Sequence, residues 1–258
     1  TITVQNVRDC NQNTIQEEFG TYQFGLPEQA ELMDIVINEV LFNPRPTGVD
    51  FVEIVNTSSK FFNIRNWSLS NFEEGLLSDT KVITTEDVLL KPNAYLILTV
   101  DGSVLKGEYV NAHEENFLKV STLPSLNDDE GSVALTDDDG ILLDHLQYTK
   151  GWHSVFIKDE EGVSLERVSF TDSTQASQNW KSASSIVGFA TPGYLNSNAR
   201  EQTIKDDVIS VEPSAFIPIT GQPDFTQIKF QFDQGGYVAN IKIFDSQGHL
   251  IKQVANNE

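Results

Sequence analysis

The sequence is poor in the residue types that build compact chemical sites. Its 258 residues include one cysteine, Cys10, and four histidines, His113, His145, His153 and His249. A lone cysteine excludes an internal disulfide. The histidines are scattered, and none has a local partner at metal-ligand spacing. We therefore expect no metal or organic cofactor.

Basic residues are also few. Seventeen lysines and arginines stand against 38 aspartates and glutamates, which gives a net charge of −21. Such a chain repels phosphate backbones, so nucleic acid is not an expected partner. The excess is typical of a solvated surface that keeps an exported protein soluble. Weak binding of divalent cations in the acidic loops is the alternative.

Long apolar runs and catalytic motifs are missing as well. No segment approaches the ~20 apolar residues of a membrane-spanning helix, so we expect no membrane insertion of this chain. No signal peptide opens it, and the strand-like start TITVQNV indicates a piece cut from a longer protein. There is no GxSxG, HExxH or CxxC motif and no phosphate-binding glycine loop. We expect the chain not to be an enzyme.

The sequence is rich in short alternating segments, which are typical of strands. An Asp-Asp-Asp-Gly run at 137–140 separates the last two segments before residue 150 and predicts a hairpin there. Residues 101–120 and 149–161 are less regular, and short helical turns would fit them. The pattern predicts an all-β fold. The predicted strands of the central region are Ile35–Phe42, Phe51–Asn56, Phe61–Ile64, Trp67–Ser70, Val82–Leu89, Tyr95–Val100, Val133–Leu135 and Ile141–Tyr148.

An ordered set of motifs then extends from residue 37 to residue 197. They are INEVLFNP, DFVEIVNTS, NWSLS, LKPNAYLILT, LNDDEGSVALTDDDGILLDHLQY, GVSLER, NW and TPGYLNS. This set resembles the lamin tail domain, an immunoglobulin-like β-sandwich that is also found in exported bacterial proteins. The GVSLER, NW and TPGYLNS ending is similar to the version in Bacteroidetes-type surface proteins. The resemblance implies an immunoglobulin-like β-sandwich over roughly 34–198.

Both flanks resemble parts of bacterial Ig-like domains. NVRDCNQNTI is similar to the turn near the end of such repeats, with Gln12 in the place of a glycine. YVANIKIFDSQGHLIKQV resembles the start of the Ig-like domain of flagellar hook-capping proteins. The predicted organisation is the end of a preceding Ig-like domain plus a linker at 1–33, the sandwich at 34–198, a linker at 199–207 and an incomplete Ig-like domain at 208–258.

Three charged residues lie in otherwise apolar strands. By alternation, Glu39 is expected to share a strand face with Ile37 and Leu41, and Glu53 also falls on an apolar face. Arg167 lies in an equally apolar segment. Buried charges are normally paired. We therefore predict a structural ionic cluster of the two glutamates and Arg167, with a cation or ligand site as the alternative.

Two tryptophans and two acidic runs complete the candidate sites. Trp180 follows a polar loop and is predicted to plug one end of the core. Trp152 lies in a turn-like segment, where it either caps the core or contacts a partner or sugar ring. The carboxylates at 127–131 and 137–140 are consecutive, unlike the alternating ligands of an EF-type calcium loop. Turn formation therefore explains these runs better than calcium binding.

The resemblance implies a non-catalytic structural or interaction module of an exported multi-domain bacterial surface protein. The module would space or tether other domains of the same chain, and it would be secreted or lie on the outer cell surface. One alternative is a binding module for a glycan, a cell-surface protein or calcium. Another is an accessory domain of a surface hydrolase or nuclease, with the catalytic domain outside these residues.

Overall fold

The computed structural model describes residues 2–3, 7–14, 21–22, 25–199, 208–212, 226–231, 240–245 and 249–256. The chain divides into two compact units, Thr1–Ser197 and Asn198–Glu258. The predicted linker at 199–207 lies outside the described residues except for residue 199.

Among the described residues, the regular secondary structure of the larger unit is almost entirely β-strand, which confirms the predicted all-β class. One α-helix, α1, spans Gly102–Glu108, and Asp101 caps its first turn by accepting hydrogen bonds from the backbone amides of Ser103 and Val104. Among the described residues, no helix has both the length and the apolar character needed to cross a membrane. The strands are β1 (Ile2–Thr3), β2 (Thr21–Tyr22), β3 (Ile35–Leu41), β4 (Phe51–Asn56), β5 (Phe62–Asn63), β6 (Ser68–Glu73), β7 (Leu76–Val82), β8 (Leu89–Leu90), β9 (Tyr95–Thr99), β10 (Phe117–Lys119), β11 (Glu130–Thr136), β12 (Leu142–Thr149), β13 (Leu165–Arg167) and β14 (Trp180–Ser182). Single 3₁₀ turns occur at Glu114–Asn116, Lys150–Trp152, Ser177–Asn179 and Ser185–Val187.

Two sheets pack face to face around one apolar core. The six-stranded sheet has the order β10-β9-β4-β3-β13-β14, and the four-stranded sheet has the order β12-β11-β6-β7. Ile54 and Leu98 of the first sheet and Leu69 and Val133 of the second belong to the same buried cluster. Neighbouring strands are antiparallel except β9 and β10. This arrangement is the predicted immunoglobulin-like β-sandwich.

Strand β3 contains a bulge that reverses which residues face the core. Ile37 pairs with Ile54, and the next paired residue, Glu39, faces Glu53, so Asn38 is an extra residue. Ile37 and Val40 both join the core between the sheets. The expectation that Glu39 shares a face with Ile37 is therefore wrong. Glu39 lies on the outer face of the six-stranded sheet, because the extra residue shifts the alternation by one position.

The outer face of the six-stranded sheet is covered rather than left to solvent. Leu41, Phe51 and Ile97 form a second buried cluster with Leu105, Tyr109, Ala112 and Ala190. Two pieces of chain lie over this face: α1 with the turn that follows it, and residues 189–197, which we call the closing segment.

Near the N-terminus, β1 pairs with β2 in antiparallel register. The turn between them is held by Asp9, whose side chain accepts hydrogen bonds from the amides of Asn11 and Asn13. Gln12, predicted to replace a glycine, has a φ of 70°, the left-handed conformation that glycine favours.

The second unit contains two antiparallel strand pairs among its described residues. Strand β15 (Val208–Glu212) pairs with β16 (Gln227–Gln231), and β17 (Asn240–Phe244) pairs with β18 (Leu250–Asn256).

Candidate functional site

Three glutamates on neighbouring strands form a row across the outer face of the six-stranded sheet. Glu53 on β4 lies opposite Glu39 on β3, and Glu39 lies opposite Glu166 on β13. All three residues have a relative exposure of 0%. We call this set the glutamate row.

The closing segment forms hydrogen bonds with Glu39 and Glu53. The Thr191 amide donates to Glu39 Oε1 at 2.9 Å, and the Gly193 amide donates to Glu53 Oε2 at 2.8 Å. Asn38, the bulge residue, donates from Nδ2 to the other oxygen of Glu53. Among the described residues, no ion pair includes Glu39 or Glu53.

The third member is bonded to the end of the same segment. The amide and hydroxyl of Ser197 donate to the two oxygens of Glu166, at 3.0 and 2.7 Å. Between these points, Asn196 donates from Nδ2 to the Asn38 carbonyl at 3.1 Å and to the Arg167 carbonyl at 2.8 Å. The row therefore holds the closing segment along its length.

The position of the Thr191 hydroxyl favours a proton on the row. It lies 3.0 Å from Glu39 Oε2 and 2.7 Å from Glu166 Oε1. A hydroxyl has one hydrogen to donate, so a full hydrogen bond at both contacts needs a protonated carboxyl that donates to Thr191. Burial, with the nearby charge of Glu166, raises the pKa of Glu39 to about 8. Burial and then the charge of Glu39 raise the pKa of Glu53 well above its usual range.

Residues 28–150 match the family model of the Lamin Tail Domain. Domains of this family have an Ig-like fold, in agreement with the two packed sheets, and are typically non-catalytic structural modules. The match ends before β13, although β13 and β14 complete the six-stranded sheet of the same sandwich. No curated protein matches the chain.

The structure corrects the predicted ionic cluster. Arg167 pairs with Asp144 at 3.2 Å and contacts neither Glu39 nor Glu53. Consecutive residues of a strand point to opposite faces, so Glu166 joins the row while Arg167 points into the sandwich. The remaining guanidinium contacts are to the carbonyls of Ile37, Ser169 and Asp172 and to the hydroxyl of Thr174.

Asp144 was not predicted from the sequence as the partner of Arg167, although its position in the strand indicates a buried carboxylate. It is 4% exposed and follows the same period of two as Leu146 and Tyr148, both in the core. A carboxylate on an apolar face is the signal that singled out Glu39. Asp144 also accepts hydrogen bonds from the Ile37 amide and the Thr174 hydroxyl, so both of its oxygens are bonded.

Trp180 lies inside the sandwich and Trp152 at its margin. Trp180 is 1% exposed, pairs with Arg167 across β13 and β14, and donates from Nε1 to the Thr174 carbonyl at 2.8 Å. Trp152 is half-buried and packs against the core, which fits core capping better than partner contact. The exposed apolar side chains of this loop are Val155 and Phe156, at 90% and 77%.

His153 and Ser182 form a serine–histidine contact. His153 Nδ1 lies 3.0 Å from Ser182 Oγ, and Nε2 is buried without a hydrogen-bond partner among the described residues. Burial lowers the pKa of His153 to about 4. A nucleophilic triad needs a third group that orients the histidine, and none is bonded to Nε2 in the described part of the chain.

The acidic runs at 127–131 and 137–140 stabilise turns through hydrogen bonds and an ion pair. Asp137 accepts hydrogen bonds from the amides of Asp139 and Ile141 and from the side chain of Gln29. Asp129 pairs with Lys150. Within the described residues, no group of three or more His, Cys, Asp or Glu could hold a metal ion.

The side chain of Asp50, which directly precedes β4, is less completely hydrogen-bonded. Its Oδ1 is buried without a hydrogen-bond partner among the described residues. Burial raises the pKa of Asp50 to about 7, and the charge of Asp128 adds to this shift.

Proposed function

We propose that the chain is a non-catalytic structural and interaction module of an exported, multi-domain bacterial surface protein. In this proposal the lamin-tail sandwich spaces or tethers other domains of the same chain, outside the cell. The observation that carries the proposal is the anchoring of the sandwich at both of its chain ends.

At the beginning of the sandwich, the backbone is hydrogen-bonded before the first long strand starts. The Glu28 amide donates to the Phe61 carbonyl at 2.8 Å, and the Met33 amide donates to the Leu143 carbonyl on β12 at 3.3 Å. Lys60 adds an ion pair to Asp34 at 2.8 Å. The chain is therefore fixed to the body of the domain as it approaches β3.

At the end of the sandwich, the closing segment is bonded to all three members of the glutamate row. A load on this end would act on hydrogen bonds that are buried and shielded from water, where they are stronger than on the surface. Anchored ends give a linked module a defined geometry, which a spacer needs.

The buried polar groups also support a role without catalysis. Arg167, Asp144 and Asp137 each bond to several internal partners. Catalytic groups instead keep a lone pair or a proton available for a substrate. The internal hydrogen bonds explain why these three polar residues are buried, so no substrate is needed to explain them.

Force spectroscopy tests the spacer function. The chain is pulled from its two ends, and we expect the sandwich to unfold in one cooperative step. Asn196→Ala removes the side chain that ties the closing segment to β3 and β13, and it should lower the unfolding force. Asn127→Ala, in an exposed loop outside the closing segment, is the matched control. Equal unfolding forces for all three proteins would contradict the proposal.

The proposed location has its own test. An antibody against the sandwich should label intact cells that produce the full-length protein, without permeabilisation. Labelling only after permeabilisation would rule out a surface role and leave the mechanical result unaffected.

A second candidate function rests on the exposed apolar side chains of Val155 and Phe156. Exposed aromatic groups are common contacts for protein partners and sugar rings. The test is a glycan array and a cell-surface binding assay with wild type, Phe156→Ser and Ile186→Ser. Ile186 is 92% exposed on another turn and serves as the control. Binding that only Phe156→Ser abolishes would establish this function, and no binding by the wild type would exclude it for these ligands.

A further inference from the structure

We propose that the glutamate row is a proton-operated latch for the closing segment. While Glu39 is protonated, residues 189–197 stay bonded to the outer face of the six-stranded sheet. Loss of this proton releases the segment and loosens the end of the sandwich.

The geometry of the row carries this proposal. Glu39 Oε1 accepts from the Thr191 amide and from the Ser164 hydroxyl, which leaves Oε2 to hold the proton. A proton on Oε2 would donate to the Thr191 hydroxyl at 3.0 Å, and that hydroxyl would donate to Glu166 at 2.7 Å. Every donor is then used once. Ionised Glu39 would instead face a hydroxyl whose single hydrogen two carboxylates must share.

Charge repulsion between neighbouring glutamates of the row also favours the protonated form. Glu53 and Glu39 are directly opposed across β4 and β3, and Glu39 and Glu166 across β3 and β13. Like charges at directly opposed positions destabilise a sheet, and burial strengthens the effect. The carboxyls of Glu39 and Glu53 therefore favour the neutral form as long as the closing segment covers them.

The other titratable and charged groups around the row lie on β9, on β14, in the loop between β3 and β4 and on the two covering pieces of chain. Lys181 on β14 lies directly opposite Glu166, so the row ends next to a cation on that side. Burial, with the charge of Glu53, raises the pKa of Tyr95 to about 12, so it is neutral at the pH values considered. Burial also raises the pKa of Tyr109 and Tyr194. The remaining groups of these elements are Arg45 over the Tyr109 ring, Glu108, Lys106, and His113, which contacts Tyr194 and Glu115.

The direction of the switch follows from the change in pKa on opening. An opened segment places Glu39 in water, where its pKa returns from about 8 to 4.5. The closed form therefore binds more protons than the open form between these values. Closing is unaffected by pH below about 4.5, weakens as pH rises towards 8, and levels off above it. The population of the open form should rise about tenfold per pH unit inside this window.

Amide hydrogen exchange of the whole chain measures the opening directly. The reporters are the Thr191 and Gly193 amides, with rates corrected for the intrinsic pH dependence of exchange. We expect their protection to fall about tenfold per pH unit between pH 5 and pH 8. Amides of the β11–β12 hairpin, which is remote from the row, should keep their protection over the same range.

Two variants identify the group responsible. Glu39→Gln keeps an acceptor for the Thr191 amide and a donor for its hydroxyl but cannot ionise, so it should flatten the pH dependence. Glu115→Gln removes a carboxylate from the adjacent exposed turn and should behave like wild type. Unchanged pH dependence in Glu39→Gln, or pH-independent protection in wild type, would overturn the proposal.

A measurement on the wild type covers the case in which Glu39→Gln does not fold. Carbon-13 chemical shifts report the ionisation of individual glutamate side chains. Glu39 should be neutral at pH 6 and titrate above pH 7. An ordinary titration near pH 4.5 would show that the row holds the segment without a proton, and the latch would be excluded while the spacer function stood.

Discussion

At the scale of single residues, β13 separates two buried polar networks. Glu166 points outward to the closing segment, whereas Arg167 points inward to Asp144 and to carbonyls of β3 and the 169–174 loop. Arg167 lies on the sandwich interior, so its five donors must all be used by the protein. Neither network can replace the other, because the strand alternation keeps them on opposite sides of the sheet.

The first prediction concerns Arg167. Arg167→Met should lower the free energy of unfolding by about 3–5 kcal/mol, because Asp144 is left as a buried charge without its partner. Urea unfolding measures this change. In double-mutant cycles, Arg167 should couple strongly to Asp144 (Asp144→Asn) and by less than about 0.5 kcal/mol to Glu39 (Glu39→Gln). Strong coupling to Glu39 would restore the ionic cluster inferred from the sequence.

The second prediction concerns His153. Burial lowers its pKa to about 4 in the folded protein, against 6.5 in the unfolded chain. The unfolded chain therefore binds more protons between these values, and stability is lost as pH falls through this window. Thermal melts should show a steeper loss below pH 6.5 for wild type than for His153→Asn, whatever the absolute stability of the variant. Parallel curves for the two proteins would show that His153 titrates normally.

At the scale of elements, the closing segment depends on a glycine. Gly193 has a φ of +91°, and a Cβ atom there would lie 2.7 Å from the His113 carbonyl oxygen and 2.9 Å from His113 Cβ. The backbone must come this close because the Gly193 amide reaches Glu53 from one side, while the 113–116 turn presses from the other. The Pro192 carbonyl also accepts a hydrogen bond from the His113 amide at 3.0 Å.

The third prediction follows from this close approach. Gly193→Ala should destabilise the sandwich by about 1–3 kcal/mol through backbone strain and displacement of the 113–116 turn. Gly107 in α1 is the matched control, because no atom of the described structure lies within 4 Å of a Cβ placed there. Gly107→Ala should be neutral or stabilise by up to about 1 kcal/mol. Denaturant melts that rank the two variants in the opposite order would contradict this account.

Elements with strong alternation were predictable from the sequence. Strand β4 was predicted with its observed bounds, and the β11–β12 hairpin around residues 137–140 is confirmed. Strand β7 was missed, because it is an exposed edge strand with no buried face to produce a pattern. The strand predicted at Val82–Leu89 is wrong over most of its length, since only the ends lie in strands and the middle is a turn.

The candidate site was predictable only in part. Burial of Glu39, Glu53 and Arg167 could be inferred from their apolar neighbours. Their partners could not, because the bulge at Asn38 changes the face of Glu39. The donors to Glu39 and Glu53 are also backbone amides 152 and 140 residues away in the chain. Every residue except proline has a backbone amide, so the sequence does not show which amides bind a carboxylate. Arg167 was predicted as the partner because it is a cationic side chain in an apolar strand.

At the scale of the whole molecule, the net charge of −21 sets the response to ions. Excess charge of one sign destabilises a compact state by self-repulsion, and salt screens that repulsion. Added sodium chloride should therefore raise the melting temperature. This general effect must be separated from binding of a cation at a defined site. Asp50 is a candidate carboxylate for such a site, because its Oδ1 is buried without a partner among the described residues and the charge of Asp128 is near.

The last prediction is that calcium acts only through this screening. The other candidate carboxylates already have partners within the protein. Asp137 accepts hydrogen bonds within its own turn, and Asp129 forms an ion pair with Lys150. Glu39 and Glu53 accept hydrogen bonds from the closing segment. Calcium, magnesium and sodium chlorides at equal ionic strength should therefore shift the melting temperature by the same amount, within about two degrees. Asp50→Asn should leave that shared shift unchanged. A further rise of several degrees with calcium alone, lost in Asp50→Asn but kept in Asp137→Asn, would instead place a calcium site at the start of β4 and favour the binding function over the spacer.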